Sequence, residues 1–358
     1  MSVVPSALSG LVVDDDAAYR RILTLSLQRI GIQNVAVAGD LTLARSKLER
    51  ESFDFVTIDI VMRGESGLEL LRWAQQNQPE LATILVTSGS ESAACRAVDA
   101  LLLGATALVL KPSGPAASAE LDRSLFNVLN GLRSVHQTAG RLSAPAPVKV
   151  QSSGVALRQA RRELIAIGAS TGGPPVVMNF LEKLPKPLLT PIVITQHMPA
   201  PHMLHFANLL KERTGLAVSI PLDGEDVRPG HVYVAPGGRH MLIARQADKL
   251  VLRHDDGPEE HHCRPAVDPM FRSVARACGQ AVVGVVMTGM GADGALGAVA
   301  LRERGAPVVI QDRESSVVWG MPGAVHAKGA ADVVAPGDDL ADWVASLDRA
   351  MSPKRRML

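Results

Sequence analysis

Ser170 stands in LIAIGASTGG, just past a short apolar run and inside a G-A-S-T-G segment. A glycine-rich turn after a strand does one of two jobs. It cradles a phosphate on backbone N–H groups, or it presents a nucleophilic serine on a tight strand-to-helix turn. A nucleophilic serine needs a base, and the base needs a carboxylate to orient it. His197 ends the run TPIVITQH, and Asp293 follows AVVGVVMTGMGAD. If these runs are strands of one parallel sheet, Ser170, His197 and Asp293 share one edge of it, in the chain order Ser, His, Asp. Such a set performs acyl transfer: His197 takes the Ser170 proton and Asp293 stabilises the imidazolium. Neighbouring glycines let backbone N–H groups approach an oxyanion, and those of Thr171 and Met290 are the candidate donors. Pro174 and Pro175 suit the first turn of the helix that would follow.

A second set of chemical residues lies in the first third of the chain. Asp14 and Asp15 end the run SGLVVDDD, Asp59 ends DFVTID, Thr87 ends LATILVT and Lys111 ends TALVLK. In an open parallel sheet all of these ends lie on one edge, where ligands bind. Three carboxylates there crowd negative charge, which a hard cation such as Mg²⁺ relieves. A lysine and a hydroxyl beside a metal-bound carboxylate suit phosphoryl transfer onto it.

Other motifs compete for attention. Gly289, Gly291 and Gly294 spell G-x-G-x-x-G, with Asp312 about twenty residues on, as in a dinucleotide-binding fingerprint. That motif begins too near the end of the chain to leave room for a dinucleotide fold. His261, His262 and Cys263 sit in an acidic, polar loop with no second ligand cluster, so a surface loop is expected rather than a metal site. His240, in APGGRHM, borders the cleft or is a packed loop histidine. The apolar stretch 281–301 carries Asp293 and several glycines, and reads as strand, loop and helix start rather than a membrane span.

Composition narrows the function classes. Lys plus Arg number 37 and Asp plus Glu 36, so no net field draws nucleic acid or anionic lipid. Aromatics are 3 %, too few for base-stacking platforms. The 3 cysteines, an odd number and far apart, indicate a reducing compartment. The N-terminus has no basic region ahead of an apolar run, so no signal peptide is expected. A cytoplasmic protein, not membrane-inserted and not bound to nucleic acid, is the expectation.

The positioning elements alternate between strand and helix. Five apolar strands in the first third, with helices such as AAYRRILTLSLQRIG and SGLELLRWAQQN between them, predict a five-stranded parallel sheet of flavodoxin-like type. The aperiodic stretch TAGRLSAPAPVKVQSSG reads as a linker. Beyond it RELIAIG, TPIVITQH, HVYVAP, AVVGVVMTG and APVVIQD predict a doubly wound, mostly parallel α/β domain. HMLIARQADKLVLRHD reads as an inserted hairpin. The expected divisions are 1–135 for the first domain, 136–160 for the linker, 161–350 for the second domain and 351–358 for a basic tail.

The first domain resembles the receiver domain of two-component response regulators, on Asp14–Asp15, Asp59, Thr87 and Lys111–Pro112. The resemblance implies Mg²⁺-dependent transfer of phosphate from a histidine kinase to Asp59. Two positions depart from the pattern. Arg63 stands where proline is usual, and Leu108 replaces the usual aromatic switch residue. The whole chain resembles the chemotaxis protein-glutamate methylesterase family, CheB, through LVVDDD, IGASTGGP, TQHMP, VYVAPGGRHM, RPAVDPMFRSVA, VVMTGMGADG and VVWGMPGAV. That resemblance implies a Ser170–His197–Asp293 triad with an oxyanion-hole N–H from Met290. It implies hydrolysis of glutamate γ-methyl esters on chemoreceptors, with release of methanol, and deamidation of receptor glutamines. The esterase chemistry itself needs no cofactor. An unphosphorylated first domain that covers the esterase cleft, and loosens on phosphorylation, is the expected control. The competing readings are a DNA-binding response regulator and a catalytically silent signalling scaffold.

Overall fold

The computed structural model describes residues 8–139, apart from 89, 113 and 115, and residues 160–348. The chain divides into two compact units, Met1–Ala139 and Gly140–Leu358. Most of the expected linker, and all of the basic tail, lie outside the described residues.

In the first unit the elements run β1 (Ser9–Val13), α1 (Ala17–Arg29), β2 (Asn34–Ala38), α2 (Leu41–Arg50), β3 (Phe55–Asp59), the short pair β4 (Val61–Met62) and β5 (Glu65–Ser66), α3 (Gly67–Asn77), β6 (Ala82–Thr87), α4 (Glu91–Leu102), β7 (Ala107–Leu110) and α5 (Ala117–Ala139). The sheet order is β2-β1-β3-β6-β7 and every pair is parallel. The strands read as near-continuous apolar runs because helices cover both faces. Asp16 and Asp40 start α1 and α2, each accepting a backbone N–H of its helix's first turn, from Ala18 and Leu43. From β1 the chain turns outward to β2, then crosses back to β3 and onward. The order therefore reverses between β1 and β3, the strands that end at Asp14 and Asp59, and a crevice opens at that point.

The second unit repeats the principle with a larger sheet. Its elements are β8 (Leu164–Ala169), α6 (Gly173–Lys183), β9 (Ile192–Gln196), α7 (Ala200–Thr214), β10 (Ala217–Ser219), β11 (His231–Val234), β12 (His240–Gln246), β13 (Lys249–Asp255), α8 (Val267–Cys278), β14 (Val282–Val286), α9 (Ala295–Glu303), β15 (Val308–Gln311), α10 (Gly320–Ala327), β16 (Val333–Ala335) and α11 (Leu340–Leu347). Seven strands lie in the order β10-β11-β9-β8-β14-β15-β16, all parallel. The expected hairpin forms from β12 and β13, as a separate antiparallel ribbon. The edge strands β10 and β16 were not evident in the sequence. Three residues are too few to display a period of two.

α8 ties these layers together. Val267, Met270, Phe271 and Val274 are fully buried in one cluster with Leu164 and Ala166 of β8 and with Met241 and Leu252 of the hairpin. Each such side chain contributes about 1.5–3 kcal/mol by leaving water. This packing also aims the amino end of α8 at the carboxyl ends of β8 and β14, which matters for the acid described next.

Candidate functional site

Here the sheet order again reverses, between β8 and β14. The register brings Gly168 opposite Val286 and Ala169 opposite Gln196. Ser170 and His197 are therefore the first residues past the paired ends of adjacent strands. Their backbones are pinned there: Ser170 N–H donates to Thr288 O at 3.0 Å, and His197 N–H to Ala169 O at 2.9 Å. Gly172, at φ 73°, turns the chain from strand to helix, and Pro174 and Pro175 lie in the first turn of α6.

Asp293 is 1 % exposed and meets His197 directly, accepting from Nε2–H at 2.8 Å. It also accepts backbone N–H groups from Val267 at 2.6 Å, Asp268 at 2.8 Å and Gly294 at 2.8 Å. Two of these donors are the first residues of α8, whose own N-cap position, Ala266, offers no side-chain acceptor. Asp293 thus caps α8 from another segment and gains the positive end of its dipole. Burial pushes the Asp293 carboxyl up, but His197 and these N–H groups outweigh it and hold it below its ordinary value. Burial alone would lower His197. Its hydrogen bonds to Asp293 and Cys263 reverse that and carry it up to about 10.

With Nε2 committed to Asp293, Nδ1 is the ring nitrogen of His197 left for another partner. Ser170 makes no side-chain hydrogen bond among the described residues, as is common before substrate binds. The backbone N–H groups of Thr171 and Met290 also donate to no acceptor among the described residues. A Cβ on Gly289 would come within 2.8 Å of Ser170 Cβ and 2.3 Å of Met321 Sδ, so only glycine lets the Met290 peptide lie beside the serine. Ser170, the His197–Asp293 pair and the Thr171 and Met290 N–H groups are thus gathered at the carboxyl ends of β8, β9 and β14, and their types suit acyl transfer.

Several supporting residues escaped the sequence reading. Gln196 Nε2–H reaches Ser170 O at 2.9 Å and His197 O at 3.0 Å, tying the two segments together. Gln311 Oε1 accepts Thr288 N–H at 2.7 Å. The signal for Gln196 was its place beside His197 in TQHMP. For Gln311 there was none, since the contact is between distant segments. The 260–264 segment is a surface loop, as expected, with His261 and His262 exposed, but its inner side reaches the site. His261 Nε2 pairs with the fully buried Asp268 Oδ2 at 2.9 Å, and Cys263 Sγ lies 3.5 Å from His197 Nδ1. His261, Asp268 and Asp293 cluster closely enough for a metal. Yet Asp293 already accepts four hydrogen bonds, which leaves it no lone pair for an ion. His240 proves to be a packed histidine: its ring accepts Ala266 N–H on Nδ1 and donates from Nε2 to Pro258 O at 3.0 Å. A cavity of about 990 Å³ lies elsewhere, lined by Arg162, Thr190 and Ala281. These residues precede β8, β9 and β14, so the cavity is at the opposite end of the sheet from Ser170.

In the first unit the five residues singled out also converge. Lys111 Nζ donates to Asp14 Oδ2 at 2.7 Å and to Asp59 Oδ2 at 2.6 Å. Asp14, Asp15 and Asp59 place a carboxylate oxygen each within 4.8 Å of one another. Thr87 Oγ1 is buried with no hydrogen-bond partner among the described residues, although Thr87 O accepts Lys111 N–H at 2.8 Å. Burial, together with nearby Asp59, pushes the Asp14 carboxyl up in spite of Lys111. Lys111 is lowered by burial but raised more strongly by its two carboxylates. Both shifts mark a site short of positive charge, and an all-oxygen donor set of this kind fits a hard cation. Arg63 supplies part of the missing charge. Its backbone N–H and Nε both donate to Asp15 Oδ2, at 3.0 and 3.1 Å.

Among the described residues no helix is long and apolar enough to cross a membrane. Residues 11–121 match the response regulator receiver domain, and residues 165–344 match the family described as CheB methylesterase. A protein named protein-glutamate methylesterase/protein-glutamine glutaminase 1, from Xanthomonas euvesicatoria pv. vesicatoria, is 39 % identical over 94 % of this chain and 96 % of its own length. The similarly named protein of Trichodesmium erythraeum is 34 % identical over 93 % of this chain and 97 % of its own. The solved catalytic domain of Thermotoga maritima CheB methylesterase is 36 % identical, with a TM-score of 0.50, over 52 % of this chain and 98 % of that one. The sheet order, the crevice at its reversal and these full-length likenesses agree: the chain belongs to the CheB methylesterase family, with a response regulator receiver domain ahead of the esterase domain.

Proposed function

We propose that this protein hydrolyses glutamate γ-methyl esters on chemoreceptors, releasing methanol, and deamidates receptor glutamines by the same route, under control of phosphorylation at Asp59. The observation that carries the reading is the His197–Asp293 pair, seated beside Ser170 at the sheet reversal. In the reaction His197 Nδ1 takes the Ser170 proton as Oγ attacks the ester carbonyl. Asp293 holds the Nε2–H tautomer and stabilises the imidazolium. The oxyanion is received by the Thr171 and Met290 N–H groups. Methanol leaves with the proton from His197. Water then attacks the acyl-serine by the same path, freeing the carboxylate and restoring Ser170. For a glutamine the leaving group is ammonia.

In the receiver domain Asp59 accepts the phosphoryl group from a histidine kinase. Asp14, Asp15 and Asp59 would hold Mg²⁺, which when bound offsets the charge of the carboxylates and of the incoming phosphoryl oxygens. Lys111 neutralises the product carboxyl phosphate, and Thr87 offers its free hydroxyl to a phosphoryl oxygen. The proposed divisions remain 1–135, 136–160, 161–350 and 351–358, and a cytoplasmic location suits a kinase-driven enzyme. A DNA-binding role is disfavoured because the second unit is a seven-stranded parallel sheet. The test is methanol release from methylated receptor membranes, with and without a small phosphodonor and Mg²⁺. Ser170→Ala should abolish release to within about a thousandth of wild type, and the phosphodonor should raise the wild-type rate. Release that survives Ser170→Ala would sink the triad. Loss of the phosphodonor response in Asp59→Asn alone would support the receiver assignment.

A further inference from the structure

The 260–264 turn is held at three points. Glu260 and Cys263 exchange backbone hydrogen bonds of 3.2 and 2.9 Å. The Glu260 carboxylate is gripped by Arg272 of α8, and His261 is fixed on Asp268 of the same helix. The Cys263 thiol is therefore delivered to one place, 3.5 Å from His197 Nδ1. The His197 side chain is 11 % exposed, so a lone pair on Nδ1 with no donor would be costly. Ser170 does not supply that donor in this state, and Cys263 is the group in reach. A thiol is a weak donor, so a serine hydroxyl fixed by bound ester can displace it.

We propose that Cys263 is a positioning residue for the reaction: its thiol holds the base nitrogen of His197 between turnovers and yields it to Ser170 when the ester binds. The proposal rests on the triad reading above. Cys263, His197 and Asp293 form one chain, with the two side groups on the two ring nitrogens. The titratable or charged groups that act on His197 are Asp293 and Cys263. His261, Asp268 and Arg272 face Asp293 from the turn and from α8. When His197 is charged the same sulfur accepts from Nδ1–H, which favours the imidazolium and so delays release of the neutral base as pH rises. Alanine offers no such acceptor.

The experiment uses the full chain as wild type, Cys263→Ala, Cys263→Ser and Ser170→Ala. Methanol release from methylated receptor membranes is followed across roughly pH 6–10, under saturating phosphodonor and Mg²⁺. Titration of the receiver domain is common to all four proteins and cancels in the comparison. The low-pH limb of kcat/KM should move down by about one unit in Cys263→Ala, with KM unchanged. Cys263→Ser should have a severalfold lower kcat than wild type, because a stronger donor competes with Ser170 for Nδ1. If Cys263→Ala does not fold, Cys263→Ser carries the test. A limb that stays in place in Cys263→Ala, or an unchanged kcat in Cys263→Ser, with Ser170→Ala inactive, would overturn the proposal and leave the triad standing. Release that survives Ser170→Ala would overturn both.

Discussion

His197 shows how a single ring is tuned by its two sides. Burial disfavours its charged form, and Asp293 and Cys263 favour it by more, with a net rise to about 10. A base whose pKa is raised is protonated over more of the neutral range, so activity should climb with pH above the ordinary histidine value. The low-pH limb of kcat/KM is expected clearly above 6.5, and a pH profile checks it. Gly289 is a second residue whose identity is forced by its neighbours. Gly289→Ala would drive a methyl group into Ser170 and Met321, and should lower kcat by about a hundredfold or more while leaving phosphorylation of Asp59 intact. In the receiver domain, Arg63 stands on Asp15 with its side chain 88 % exposed. So exposed a pair is worth about 1 kcal/mol at most. Arg63→Ala should therefore tighten Mg²⁺ binding only severalfold, as read by calorimetry. No change, or weaker binding, would show that Arg63 does not compete for Asp15.

At the scale of elements, α7 carries an unusual burden. His202 on its first turn is fully buried, and neither ring nitrogen has a hydrogen-bond partner among the described residues. Burial drives its pKa down from 6.5 to about 4. The native state therefore keeps this ring neutral while the unfolded chain takes up a proton below 6.5. The unfolded state binds more protons between those two values, so stability falls as pH drops through that window. The full shift corresponds to roughly 3 kcal/mol. His202→Phe should remove this part of the acid sensitivity, giving denaturation midpoints that change less between pH 7 and pH 5. A midpoint shift as large as that of wild type would rule it out. α8 bears a different load, since its amino end holds the Asp293 carboxylate through Val267 and Asp268. Nothing in the sequence announced that this helix is capped from outside.

For the whole molecule, both units follow the same rule, a parallel sheet with chemistry at its reversal point. In the first unit that point gathers Asp14, Asp59 and Lys111, and in the second Ser170, His197 and Asp293. The receiver domain supplies the phosphorylation and the esterase domain the acyl transfer. If the receiver domain restrains the esterase, a fragment from about residue 160 onward should release methanol faster than the unphosphorylated whole chain, and should ignore phosphodonor. A fragment no faster than the whole chain would exclude release of inhibition as the mode of control.

The sequence by itself determined the central strands of both sheets, their parallel arrangement and the chemical residues at their ends. Those features are local: buried parallel strands are written as apolar runs, and polar residues at their carboxyl ends stand out against them. The G-A-S-T-G and TGMGADG turns were legible for the same reason, since glycines mark close approach. Only the tertiary structure decided that His197 offers Nε2 to Asp293 and presents Nδ1 on its other side. It also decided that α8 donates two N–H groups to the acid, and that the acidic loop at 260–264 brings Cys263 to the base. Each of these is a contact between segments far apart in the chain, fixed by packing of α8 on β8 and the hairpin. A loop's polarity says that it meets water on one side, and leaves open what it meets on the other.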